Sequence, residues 1–290
     1  MNKNLKQILV ALGLVTLVTL LTGIFLLTIS LDMRHMSLWG LMLGFGAACW
    51  AGTRSYMSPA VYSVVSLLPF IVFLKLVILS DLPSMWFVAP LMLLVSLFGF
   101  MAARFQRKVR RAGTMVGLLV SMLFSWLYIP TLISDDLTRT ANDTTSAFDF
   151  MATDGSLISS EALKGRVVVL DFYGTWCKPC IAELPELARV REHFSGSNEV
   201  SFFIVNSDQG GDTPEKAERF IKRYGNGFSF GYDHGRKTYK AIGLTGAGVP
   251  SLVILDKQGN VRLRHIGYNK AETDFVENMI AAVDRVLEDD

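Results

Sequence analysis

The apolar residues of this chain are gathered into long runs that stop near Ile133, and such runs restrict the backbone more than any motif does. Within hydrocarbon every N–H and C=O must be satisfied by the chain itself, which leaves helices as the means of crossing. Ile8 to Ile29 is about 22 residues long, enough to cross a core of roughly 30 Å. A cleaved signal peptide is the competing reading. It requires a shorter apolar core ending at a small-residue cleavage site, and none is found, so the run is read as an uncleaved span with Lys3 and Lys6 on the cytoplasmic side.

Four more apolar segments follow, Leu38 to Ala51, Val61 to Leu79, Trp86 to Ala103 and Met115 to Ile133. The first of these is short and glycine-rich, so a re-entrant piece competes with a span. Arg104, Arg107, Lys108, Arg110 and Arg111 lie between the last two segments and belong on the cytoplasmic side by the positive-inside rule. Five spans satisfy that rule and four do not. Residues 1–133 are therefore predicted to form an all-α transmembrane domain of about five helices, with the chain leaving the membrane on the outer side. Lys75 in the third segment is either a functional intramembrane charge or a lysine reaching for the interface. Pro69, Pro90 and Pro130 are expected to kink their helices, and Cys49 reads as a small apolar packing residue.

Ser134 to Ser146 is polar, lacks apolar periodicity and is predicted to be a linker. Residues 147–290 read as a soluble α/β domain. Strands are predicted near Phe148 and Leu157, then over Val167–Tyr173, Val200–Asn206, Ser251–Asp256 and Val261–Ile266. Helices are predicted from Cys177 to about Phe194, over Thr213–Tyr224, where Pro214 marks the first turn, and over Ala271–Leu287. The net charge of +2 is too small to imply nucleic-acid binding.

Trp176-Cys177-Lys178-Pro179-Cys180 follows the apolar run Val167–Tyr173 and opens a helix. Cysteines at i and i+3 there place one sulfur at the exposed helix N-terminus and the other a turn further in, close enough to bridge. Helix-terminal amides favour a thiolate, so Cys177 is the predicted nucleophile and Cys180 the sulfur that resolves the mixed disulfide. The pair then cycles without any cofactor. A structural zinc site would need four N or S donors, and the remaining cysteine, Cys49, and the four scattered histidines do not supply them. His193, His234 and His265 are read as structural or surface residues.

Phe148-Asp149-Phe150, Asp154-Gly155, Leu163-Lys164-Gly165, the stretch Asp171–Cys180, Gly248-Val249-Pro250 and Leu252–Asp256 with Gly259 together resemble the thioredoxin superfamily. More narrowly they resemble its membrane-anchored TlpA/ResA-like thiol-disulfide oxidoreductases. The resemblance implies an α/β thioredoxin fold with a family-specific N-terminal addition. It also implies a cis Pro250 facing the disulfide, with Val249 offering backbone to an extended substrate strand, and Trp176 as an apolar contact for the partner. Asp171 matches the buried aspartate of thioredoxin, where many TlpA/ResA-like proteins have asparagine, and its role there is to take the proton of Cys180. Glu183, one turn after Cys180, matches the active-site glutamate of ResA-like members. Asp171 is expected to be the more desolvated acid, and which of the two serves Cys180 stays open. Lys178 and Pro179 modulate the motif.

The expected activity is extracytoplasmic thiol–disulfide exchange with partner proteins, in the direction of reduction, as in cytochrome c maturation. Apocytochrome c or another thioredoxin-like protein is the expected partner. A disulfide-forming oxidase, or a membrane transport or scaffold protein carrying a redox sensor, are the alternatives.

Overall fold

A computed structural model describes residues 88–102, 107–225 and 227–289, with scattered positions between 5 and 42. The expectations for Val61–Leu79, Pro69, Lys75 and Cys49 lie outside the described residues, and those for Ile8–Ile29 and Leu38–Ala51 lie largely outside them. The chain divides into two compact units, Met1–Asp136 with Asn269–Ala271, and Leu137–Tyr268 with Glu272–Asp290.

In the first unit, helix α1 spans Val88–Ala102 and α2 spans Arg107–Leu123. The latter runs through a π-helical turn, Phe124–Tyr128, into α3, Ile129–Leu137. The wide turn has a local cause. Pro130 has no N–H to give the carbonyl one turn back, and its ring crowds that carbonyl, so the backbone opens just ahead of it. Arg111–Asp135, 25 residues that include an 18-residue window with a mean hydropathy of 1.9, is long and apolar enough to cross a membrane. It presents apolar side chains outward, with Met115 72% and Leu127 70% exposed.

The second unit is one eight-stranded sheet. Its strands are β1 (Thr138–Asp143), β2 (Asp149–Ala152), β3 (Leu157–Ser159), β4 (Val167–Tyr173), β5 (Val200–Asn206), β6 (Ser229–Tyr232), β7 (Ser251–Leu255) and β8 (Val261–Ile266), in the order β1-β8-β7-β4-β5-β6-β2-β3. Parallel pairing is confined to β4–β5 and β5–β6; the other pairs are antiparallel. All seven residues of β4 are buried, as a near-continuous apolar run covered on both faces requires. Alternation sends Val167, Val169 and Tyr173 to one core and Val168, Leu170 and Phe172 to the other. The first core is closed by helices α5 (Lys178–His193), α6 (Pro214–Tyr224) and α8 (Phe275–Glu288). The second is closed by Leu163 of the short helix α4 (Ser160–Leu163) and by Tyr239 of α7 (Lys237–Ala241) with the loop after it.

Three expectations are corrected. The segment Ser134–Ser146 is not a free linker: its first residues finish α3, and Thr138–Asp143 pairs with β8 as an edge strand. An edge strand with mostly exposed side chains needs no apolar alternation, because its ladder is made by backbone. The terminal helix starts at Phe275, Ala271 and Glu272 being buried in the turn that leads into it. A further parallel strand, β6, and helix α7 stand between Tyr224 and Ser251, where no element was predicted.

Candidate active site

Strand β4 ends at Tyr173, and Gly174-Thr175-Trp176 turn the chain into α5. Cys177 is the N-cap of that helix in extended backbone, and its sulfur accepts the N–H of Cys180 at 3.1 Å, so the sulfur does what a capping oxygen does elsewhere. Lys178 and Pro179 fill the first turn. Pro179 costs nothing there because its missing N–H would have no helical acceptor. Cys177 and Cys180 are joined as a disulfide.

The expected exposure of Cys177 is not met in this oxidised state: it is 2% exposed and Cys180 1%. The Val249 carbonyl oxygen sits 3.5 Å from the Cys177 sulfur. The Val249–Pro250 peptide is cis, as the resemblance implied. Its loop is tied down from three sides: Tyr239 Oη and Ser251 Oγ each donate to the Gly248 carbonyl at 2.7 Å, and Gly267 N–H donates to the Pro250 carbonyl at 2.8 Å. Half-buried Val249 and exposed Trp176 and Lys178 flank the disulfide, so the residues named for partner contact line its rim.

Beneath the disulfide lie the two acids, and the expected contrast between them is absent. Asp171 and Glu183 are each 1% exposed. Both oxygens of Glu183 and Oδ1 of Asp171 have no hydrogen-bond partner among the described residues. Burial pushes Asp171 up to about 7. Glu183 is held well above the usual carboxylate range, first by burial and then by the negative charges of Asp171 and Glu272. Two buried carboxyls that act on one another cannot both ionise cheaply, so each favours the protonated form of the other.

Sequence reasoning missed the group that orients the motif from outside. Asp212, 7% exposed, accepts the Thr175 N–H at 2.8 Å and the Asn206 side-chain amide at 2.9 Å on Oδ2, and the Thr175 hydroxyl on Oδ1. Trp176 Nε1 donates to the Gln209 carbonyl at 3.1 Å, and its indole lies against Gly174 and Gly210, where a Cβ would collide with it. Nothing in the spacing of Asp212, a separation of 37 from Thr175, could have announced this.

A dithiol at a helix start facing a cis-proline loop, on a sheet of this order, defines a thiol–disulfide oxidoreductase of the thioredoxin superfamily. A family model described as Redoxin matches residues 140–282. The thiol-disulfide oxidoreductase ResA of Bacillus anthracis is 33% identical over 127 residues, which is 43% of this chain and 69% of that relative. ResA of Halalkalibacterium halodurans is 25% identical over 150 residues, 51% of this chain and 81% of the relative. Among solved structures, a thiol:disulfide interchange protein DsbE from Chlorobium tepidum aligns with a TM-score of 0.42 at 24% identity, over 49% of this chain and 96% of that one. StoA from Bacillus subtilis aligns with a TM-score of 0.38 at 25% identity, over 45% and 94%. The chain belongs to the ResA-like thiol-disulfide oxidoreductases.

Proposed function

We propose that the protein is anchored in the cytoplasmic membrane with its thioredoxin-like domain on the outer side, where it reduces disulfides of partner proteins. The observation that carries this reading is the buried Cys177–Cys180 disulfide at the start of α5, backed by two acids able to handle one proton. The exposed apolar surface of Arg111–Asp135 supports anchoring. The basic cluster Arg104–Arg111 at the start of that helix supports an outward exit, and five spans satisfy it.

In the reduced protein Cys177 attacks a partner disulfide as the thiolate, favoured by the α5 amides. Cys180 gives its proton to the Asp171–Glu183 pair and its sulfur attacks Sγ of Cys177, the Cys177–partner bond breaks, and the partner leaves as a thiolate. Val249 offers its backbone and Trp176 its ring face to the partner segment, while Lys178 adds positive charge beside the nucleophile. The dithiol suffices as the redox group, with no cofactor or metal. The partners are extracytoplasmic thiol or disulfide proteins, with apocytochrome c or a second thioredoxin-like protein the first candidates.

Equilibration of the purified full-length chain with thiol buffers tests the direction. A reduction potential near about −270 mV supports reduction, and one near about −120 mV would make the protein an oxidant. An impermeant thiol probe on spheroplasts tests the placement: it should label Cys177 after reduction and should miss a cysteine introduced at Arg107 unless the membrane is opened.

A further inference from the structure

The loop beside the disulfide is held by two buried hydroxyls that the exchange reaction does not consume. Tyr239 on α7 and Ser251 at the start of β7 are both fully buried. Each donates its one hydroxyl hydrogen to the Gly248 carbonyl oxygen at 2.7 Å, and their own oxygens stand 3.5 Å apart. The Gly248 oxygen thus has both lone pairs engaged on the core side. Ser251 is placed by sheet register, opposite Phe172 of β4. Tyr239 is placed independently of that register: its ring meets Phe172 edge-to-face at 5.2 Å, and its backbone N–H and that of Thr238 donate to the Asp233 carboxylate at 2.8 and 2.9 Å. Asp233 is itself fully buried, and its N–H donates to the carbonyl of Asn206, the last residue of β5, at 2.9 Å.

The consequence falls on the next residue. The Gly248–Val249 peptide is trans and planar, so its C=O and N–H point opposite ways. A Gly248 carbonyl drawn into the core therefore turns the Val249 N–H away from the core. That N–H has no hydrogen-bond partner among the described residues, whereas the Pro250 carbonyl is taken by the Gly267 N–H at 2.8 Å. Val249 is half-buried, and its carbonyl oxygen lies 3.5 Å from Sγ of Cys177. A donor left open on a residue in contact with the reacting sulfur suits the backbone carbonyl of an extended polypeptide whose disulfide faces Cys177. A small free disulfide offers no backbone to it.

We propose that Tyr239, seconded by Ser251, is a positioning residue for partner binding: it keeps the Gly248 carbonyl turned inward and so aims the Val249 N–H at the backbone of an extended partner segment. The two hydroxyls thereby set a preference for disulfides carried on a polypeptide over small free ones. They act through the loop and leave the chemistry unchanged. The partner disulfide takes up two electrons and two protons and becomes two thiols, and the Cys177 and Cys180 thiols give these up and become the disulfide. This inference rests on the thiol-exchange reading above.

The test uses the reduced full-length chain in detergent with Cys49→Ala as the parent. Its single-turnover oxidation is followed with a peptide that carries one internal disulfide flanked by further residues, and with dithiodipyridine, which has no peptide backbone. Tyr239→Phe should raise the half-saturating peptide concentration about two- to tenfold, the effect of one hydrogen bond. The ratio of the peptide rate constant to the dithiodipyridine rate constant should fall by the same factor. Ser251→Ala should act in the same direction, and carries the test if Tyr239→Phe does not fold. Ser251→Thr, which keeps the hydroxyl, should hold the ratio near that of the parent. A ratio equal to the parent's in the folded Tyr239→Phe and Ser251→Ala chains, whether both rates fall or neither does, overturns the inference. A fall confined to the limiting rate at saturating peptide overturns it as well. Failure of the parent to exchange with either disulfide would instead overturn the thiol-exchange reading.

Discussion

Replacing Asp171 by Asn should stabilise the thioredoxin-like domain, and by an amount that depends on pH. In the fold the carboxyl sits at about 7, against 3.8 as its ordinary value, because burial disfavours the charge. Below pH 3.8 the acid is neutral whether the chain is folded or not, and it costs nothing. As pH rises from there, the unfolded chain ionises while the folded one must stay protonated, so stability falls by about 1.4 kcal/mol per pH unit. Above about pH 7 both states are ionised and the loss levels off at about 4 kcal/mol. Asparagine keeps the shape and removes that slope. Hydrogen exchange of the β4 and β7 amides, compared between variant and parent at each pH, reads the difference without interference from the intrinsic rate. The variant should match the parent near pH 4, exchange about tenfold more slowly near pH 5, and reach about a thousandfold slower at pH 8. A ratio independent of pH, or weaker protection of the variant at pH 8, would refute the claim that Asp171 is an uncompensated buried acid.

Two further outcomes follow from the frame around the motif. Asp212→Ala removes three hydrogen bonds that hold Thr175 and Asn206, and should lower exchange with protein disulfides by about ten- to a hundredfold, as misplacement of reacting groups does. Stopped-flow turnover checks this, and an unchanged rate would show that the Asp212 bonds are dispensable. Deleting Thr138–Asp143 bares the backbone edge of β8, and should cost the domain at least 1 to 2 kcal/mol of protection in β8 amides by the same exchange method. Equal protection would return that segment to the status of a linker.

How legible all this was in the sequence depended on where each signal came from. Val167–Tyr173 was readable because an apolar run reports burial directly, Val261–Ile266 because it follows the Lys257–Asn260 turn with Val261 and Leu263 alternating with arginines, and α6 from the Thr213 cap and Pro214. Strand β1 was not, since an edge strand is specified by its neighbour's unpaired backbone and not by its own side chains. Strand β6 was hidden by its brevity and by Gly231, whose missing Cβ leaves room for the Phe150 ring. Cys177, Cys180, Trp176 and Pro250 stood in contiguous motifs. The equal burial of Asp171 and Glu183, and the approach of Asp212 to Thr175, are products of tertiary packing between segments far apart in the chain. Only the fold brings them together.

The central claim, that Cys177 attacks and Cys180 resolves, is tested most directly by trapping. Cys180→Ser keeps the nucleophile and removes the group that expels the partner, so cells expressing it and quenched in acid should yield the protein linked to extracytoplasmic proteins through a bond cleaved by reductant. Cys177→Ser should yield none, because the sulfur of Cys180 lies a turn inside the helix and lacks the terminal amides that favour a thiolate. Adducts formed by the Cys177 variant alone would invert the two roles and contradict the account.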